Sequence, residues 1–150
     1  MPFVVQLQLI MKPWISFAIL SMCFAGMTSV IAKKGLVGIS GEAGLTIRTL
    51  FVVVFVLIFA AIQVPMKSLR DLTQENYLWL GLSGITTAAS WIFYYKALKD
   101  GEVSTIALID KGSILISILL ACFILKEQIT ARTLLGGAIM LGGLAVIAGK

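Results

Sequence analysis

Apolar residues in this chain gather into five long runs separated by short polar stretches. The first extends from about Trp14 to Ala32 and stops at Lys33-Lys34. The second covers about Leu45 to Val64, with Arg48 near its start and Pro65 just past its end. Tyr77 to about Lys96, Val103 to Leu125, and Ala131 to Gly149 make the third, fourth and fifth. As a helix rising about 1.5 Å per residue, each run is long enough to cross the ~30 Å hydrocarbon core of a bilayer. Turn formers and charges collect between the runs, at 33–44, 65–76, 97–102 and 126–130. Trp14, Tyr77, Trp79, Tyr94 and Tyr95 fall near run ends, where aromatic side chains sit at the membrane–water boundary. The pattern predicts an all-α integral membrane protein: a segment 1–13, then a domain 14–150 of five transmembrane helices.

The first ten residues are apolar but too short to span, and Met11 with Lys12 behind it is an alternative start. A cleavable signal peptide has an apolar region of about 7–15 residues. The longer run from Trp14 to Ala32 is therefore expected to stay in the protein as a membrane helix.

Composition excludes several classes. Hydrophobic residues make up 59% of the chain and charged residues 13%, whereas soluble domains have roughly 45–50% apolar and about 25% charged residues. The same balance excludes a disordered chain, and 14 Gly, 3 Pro and 2 Cys exclude collagen and disulfide scaffolds. The net charge of +5 sits mostly at run ends, with no basic stretch interleaved with aromatics, so nucleic acid is not an expected partner. There is no His, and Cys23 and Cys122 lie inside apolar runs without metal spacing, so neither a metal nor a cofactor is expected.

An odd number of spans puts the termini on opposite sides. Lys12, Lys67, Arg70, Lys126 and Arg132 then share one face; Lys33, Lys34, Arg48, Lys96, Lys99 and Lys150 share the other. Orientation follows an excess of Lys and Arg in cytoplasmic loops. Five against six gives no excess: either the rule does not resolve the orientation or the protein inserts both ways.

Three runs carry polar or small-residue patterns. In the third, Ser83, Thr87, Ser90 and Tyr94 recur at +4, +3 and +4 and so share one helical face. Such a stripe either lets helices pack closely or lines a cavity. In the fourth, Asp110 and Lys111 lie about 11 Å from the Val103 end, where each charge costs roughly 2.5–3.5 kcal/mol. Asp110 shares a face with Ser113, Ser117 and Ala121, making a polar track suited to a cationic substrate or a proton. Adjacent residues on a helix diverge by about 100°, so Asp110 and Lys111 are expected not to neutralise each other. Lys111 is expected to pair with an acceptor on another helix or subunit, and a purely structural ion pair is the competing reading. In the fifth run, Ala138, Gly142, Ala145 and Gly149 form a small-residue ridge, with Gly136 and Gly143 beside it, suited to a close helix contact within the fold or between subunits. No HExxH, GxSxG or P-loop occurs, and Lys111 and Ser117 point to different faces, so an enzyme is not expected.

Several short motifs recur in an ordered series: TIR at Thr46–Arg48, WLGL at Trp79–Leu82, YYKALKDGEVS at Tyr94–Ser104, and LKEQIT at Leu125–Thr130 before a Gly-rich last run. In this order and spacing, Met11 to Lys150 resembles an EamA-type domain of the drug/metabolite transporter superfamily. The resemblance implies two five-helix repeats in inverted orientation around a central cavity, exporting amino acids, metabolites or drugs across a bacterial inner membrane. It also implies membrane-flanking structural roles for Arg48 and Glu127. This chain departs from the pattern in having one repeat and in carrying Asp110-Lys111. The expectation is therefore a half-transporter that forms an antiparallel homodimer in the lipid bilayer. It would move a small organic solute, most simply outward, with proton coupling as an option. A non-transporting subunit packed against another membrane protein is the alternative.

Overall fold

The structure, a computed structural model, describes residues 13–148. Met11, Gly149 and nearly all of the segment 1–13 lie outside the described residues. Among the described residues seven helices follow one another: α1 (Pro13–Gly35), α2 (Gly41–Gln63), α3 (Met66–Arg70), α4 (Gln74–Asp100), α5 (Val103–Lys111), α6 (Ser113–Ile124) and α7 (Ala131–Ala148). No strand occurs among the described residues. Among the described residues three stretches are long and apolar enough to cross a membrane: α1, α2, and α5 with α6 taken together. The 27 residues of α4 exceed a bilayer's thickness, but hydroxyls and charges dilute its apolar character. In α7 the apolar stretch, Ala131–Val146, is shorter.

Local chemistry sets the boundaries. Ser40 caps α2 by accepting the Ala43 N–H at 3.2 Å, and Glu42 sits in the first turn, complementing the positive end of the helix dipole. That helix stops before Pro65, which cannot continue it. Thr73 and Asn76 form a reciprocal cap on α4: the Asn76 N–H donates to Thr73 Oγ1 at 3.2 Å, and the Thr73 N–H to Asn76 Oδ1 at 2.9 Å.

The expected fourth span is not one continuous helix. It divides at Gly112, whose N–H donates to the Ile109 carbonyl at 2.9 Å, while Leu115 N–H donates to the Gly112 carbonyl at 3.1 Å. Both bonds reach back three residues instead of four, a tightened turn in a run that is otherwise α-helical. Glycine resists this least, and it immediately follows the charged pair.

Most large apolar side chains face outward, as lipid permits, and the buried core is small: Leu36, Tyr95 and Leu98. Ala32, Leu45, Tyr94, Val103 and Ile106 pack around it. The cluster sits where the end of α1, the start of α2 and the α4–α5 turn converge. Gly41 makes that convergence possible, because a Cβ there would lie 2.8 Å from the Tyr95 carbonyl oxygen. Lys33 Nζ reaches across from α1 and donates to the carbonyls of Leu98, Lys99 and Gly101, at 2.6, 2.9 and 3.0 Å. Lys99 Nζ returns the contact to the Leu36 carbonyl at 3.2 Å. Lys96 and Glu42 pair at 3.6 Å beside them.

Removing the ammonium in Lys33→Met leaves carbonyls at the α4 terminus unpaired and should destabilise the protein by about 2 kcal/mol. The neighbouring Lys34→Met, at an exposed position, should change stability by less than about 0.5 kcal/mol. Denaturant unfolding in detergent measures both; equal losses would deny Lys33 its capping role.

Candidate substrate cavity

Five helices contribute to a polar cavity of about 350 Å³, within the ~300–1,000 Å³ range of small-molecule sites. From α1 come Ala25, Thr28, Ser29 and Ala32, which recur at +3, +4 and +7 and so form one face. α2 supplies Arg48, and α4 supplies Ser90, Trp91, Tyr94 and Tyr95. Asp110 and Lys111 close the end of α5, and Ser113 opens α6. At about 1.5 Å per residue, Arg48 lies roughly 10 Å from the Gly41 end of α2, and Asp110 roughly 10 Å from the Val103 end of α5. The packing of Gly41 and the Lys33 bonds hold those two ends together, so both charges sit at a similar depth along the bundle.

Arg48 differs from its expected role. The motif resemblance makes it a membrane-flanking residue, yet its side chain turns into this cavity. Its Cζ stacks 4.2 Å from the centre of the Trp91 ring and lies 5.8 Å from that of Tyr95. Nη1 is buried with no hydrogen-bond partner among the described residues. A guanidinium over an aromatic face gains electrostatic stabilisation, but the ring does not replace an in-plane acceptor for its N–H groups.

The acidic and basic pair also differs from expectation. Asp110 Oδ2 and Lys111 Nζ lie 3.6 Å apart, so they do meet. The 100° argument assumes a straight helix and short side chains. Here the helix tightens directly after Lys111, and the flexible lysine stem swings back to its neighbour. Their side chains remain 38% and 50% exposed, respectively, a partly open pair at the cavity edge.

The expected hydroxyl stripe is divided. Ser90 and Tyr94 line the polar cavity, and the Tyr94 hydroxyl donates to Ser29 Oγ at 2.7 Å, tying α4 to α1. Ser83 and Thr87 instead face a larger, mainly apolar groove of about 1,090 Å³ between α2 and α4, with Glu42 and Lys96 at one end. Of the serine track below Asp110, Ser113 reaches the cavity, whereas Ser117 donates to the Ser113 carbonyl at 3.1 Å.

The small-residue ridge of the last helix is for the most part not the face that meets α6. Within the chain, α7 faces α6 through buried Gly137, where a Cβ would approach Leu115 to 3.4 Å. Met140 and Leu144 continue that half-buried face at +3 and +7. Ala138 joins Leu115 and Ile118 along a neighbouring groove, while Gly142 and Ala145 are exposed; a Cβ on Gly136, Gly142 or Gly143 would meet nothing within 4 Å. The contact with α6 thus lies one position from Ala138, and Gly142 and Ala145 of the ridge stay unpartnered within the chain. Among the described residues, no cluster of three or more Cys, Asp or Glu could hold a metal ion.

Sequence reasoning passed over Ser29, Arg48, Trp91 and Tyr95 as cavity residues. A signal was present for Ser29, which stands beside Thr28 as adjacent hydroxyls midway along an apolar run.

A bundle of long apolar helices enclosing charged and hydroxylated side chains defines a multi-pass membrane protein with an internal polar site. The chain belongs to the EamA-like transporter family, whose pattern matches residues 12–149. A curated relative from Sinorhizobium sp, described as an "Uncharacterized transporter in cobO 3'region", is 31% identical over 137 residues, covering 91% of this chain and 97% of the relative. No solved structure matches the chain. Family membership and this relative support a membrane transporter of the drug/metabolite type rather than an enzyme.

Two substitutions separate the faces of the last helix. Gly137→Leu should destabilise the fold by about 1–3 kcal/mol through overpacking against Leu115 and Ile118. Gly142→Leu should leave the stability of the monomer within about 0.5 kcal/mol. Thermal unfolding of both variants in detergent under monomeric conditions decides, and matching losses would place both glycines on the packed face.

Proposed function

We propose that this protein is a half-transporter whose two copies associate in antiparallel orientation and move a small organic solute out of a bacterial cell across the inner membrane. Residues 14–150 form the repeat, with α1, α2, α4, α5–α6 and α7 as its five spans. The observation that carries this reading is the convergence of Arg48, Asp110, Lys111 and hydroxyls from α1 and α4 on one cavity roughly 10 Å inside the bundle. Ionisable groups away from the membrane surface mark solute and ion pathways. Asp110, paired to Lys111 at the cavity edge, is the group that exchanges a proton during transport. Ser83 and Thr87 extend the pathway along the open α2–α4 groove.

Association of two copies is supported by an unpartnered surface and by charge. Gly142 and Ala145 on α7 are exposed, and small residues let helices approach closely in lipid. Arg48 counts with the loop charges in the sequence but lies inside the bundle. Dropping it from the tally of six against five leaves five basic residues toward each face. An odd-span repeat without an orientation bias reaches inverted-repeat symmetry by pairing with an oppositely inserted copy.

Reconstitution of the full chain tests the proposal. Vesicles carrying it should accumulate at least one solute from a panel of amino acids, organic cations and organic anions, driven by a proton gradient. Asp110→Asn keeps the shape and removes the titrating group, so it should abolish the gradient-driven component without changing the yield of cross-linked dimer. Reporters fused to the C-terminus, one active outside and one inside, should both give signal. No flux for any solute, together with single-sided reporter signal, would favour a fixed subunit of another membrane assembly.

A further inference from the structure

The polar cavity holds one more cation than it holds anions. Arg48 and Lys111 face a single carboxylate, Asp110, and that carboxylate is already ion-paired with Lys111 at 3.6 Å. Arg48 is left with the π face of Trp91 and a buried Nη1 that has no acceptor among the described residues. An unmet donor costs most on a charged group out of reach of water, so this position favours an incoming acceptor. Ser29 accepts the Tyr94 proton and keeps its own O–H to donate into the same space. The surplus charge of the cavity is therefore positive.

We infer that the cavity binds a small organic anion through its carboxylate, with Arg48 as the residue that selects for charge. The guanidinium presents paired donors to a carboxylate, Trp91 stacks against its face, and Lys111 adds positive potential to the same cavity. A volume of about 350 Å³ leaves room for a carboxylate with a compact body. The inference rests on the transporter reading and names the charge of its substrate. It also reverses the expectation that Asp110 meets a cation, because Lys111 occupies that carboxylate. A lipid phosphate could supply the same acceptor chemistry, so the experiment separates the two sources.

The full chain with Trp14→Phe and Trp79→Phe, which leaves Trp91 as its reporter, is reconstituted in phosphatidylcholine vesicles and titrated with benzoate, benzamide and benzylammonium. Benzoate should give a saturable fluorescence change and bind at least roughly tenfold more tightly than benzamide, the factor expected when a charge-assisted bond becomes a neutral one. Arg48→Gln should weaken benzoate binding by roughly tenfold or more, and Arg48→Lys should recover part of the loss. Vesicles with added phosphatidylglycerol should bind benzoate equally well. The inference is overturned by no saturable response to benzoate, by equal binding of benzamide, by preference for benzylammonium, or by unchanged affinity in Arg48→Gln. Abolition of benzoate binding by phosphatidylglycerol would assign the site to a lipid headgroup and overturn it as well. The ranking of the three probes stands without any cavity variant, so misfolding of Arg48→Gln leaves the test intact. Binding is read at equilibrium: a protein that ranks benzoate first yet transports nothing keeps this inference and loses the transporter reading. One that transports an organic cation and ignores benzoate does the reverse.

Discussion

The ammonium of Lys33 determines how the bundle closes. A helix ends with backbone carbonyls that have no partner within it, and near a membrane those groups find little water. Lys33 serves Leu98, Lys99 and Gly101 at once, so α4 ends abruptly and the chain enters α5 after two residues. The same contact fixes the last turn of α1 against the last turn of α4 and seals Leu36 and Leu98 beneath it. With that corner set, Gly41 brings the start of α2 against the Tyr95 backbone. Arg48, two turns further along, then has no direction to take except toward Trp91 and the cavity. The polar site is thus a consequence of a capped helix end some 10 Å away.

Electrostatics inside the bundle follow from how each charge is met. Asp110 and Lys111 solve their own problem, since a half-exposed ion pair next to a tightened turn needs no further group. Lys96 and Glu42 do likewise at the mouth of the larger groove. Arg48 is the exception, because an aromatic face lowers the cost of its charge without accepting its hydrogen bonds. Two met pairs and one unmet cation give the interior a definite sign, and that sign is positive.

Much of the fold was legible in the apolar runs, because the long α1 and α2 are set by length, terminal lysines and a following proline. The α4 boundaries moved outward by about a turn, since the Thr73–Asn76 cap and the Lys33 bonds carry the helix beyond its apolar part. The division at Gly112 was hidden by apolar residues on both sides of it. Asp110, Lys111, Ser113, Ser90 and Tyr94 were legible as polar intrusions in apolar runs, and they do share a cavity. Arg48 was not, because a cation near the start of a span reads as a flank. Only the approach of α2 to α4 shows that it lies between helices. On α7, Gly136, Gly137, Gly142 and Gly143 offer several overlapping small-residue spacings, and the sequence does not say which one meets α6.

Polar residues in a membrane helix differ in whether they need anything from outside it, and that difference ranks the candidates here. Thr87 donates to the Ser83 carbonyl at 2.8 Å, Thr86 to the carbonyls of Leu82 and Ser83, and Ser117 to that of Ser113. Each returns its proton to its own helix, so it can face lipid, a neighbour or a pathway at little cost. Such hydroxyls permit a solute without demanding one. Tyr94 reaches Ser29 on a different helix and so constrains the fold. Arg48 alone among these groups carries both a full charge and a buried donor without an acceptor. A stripe of hydroxyls asks nothing of its surroundings; a guanidinium with an unmet donor calls for an acceptor.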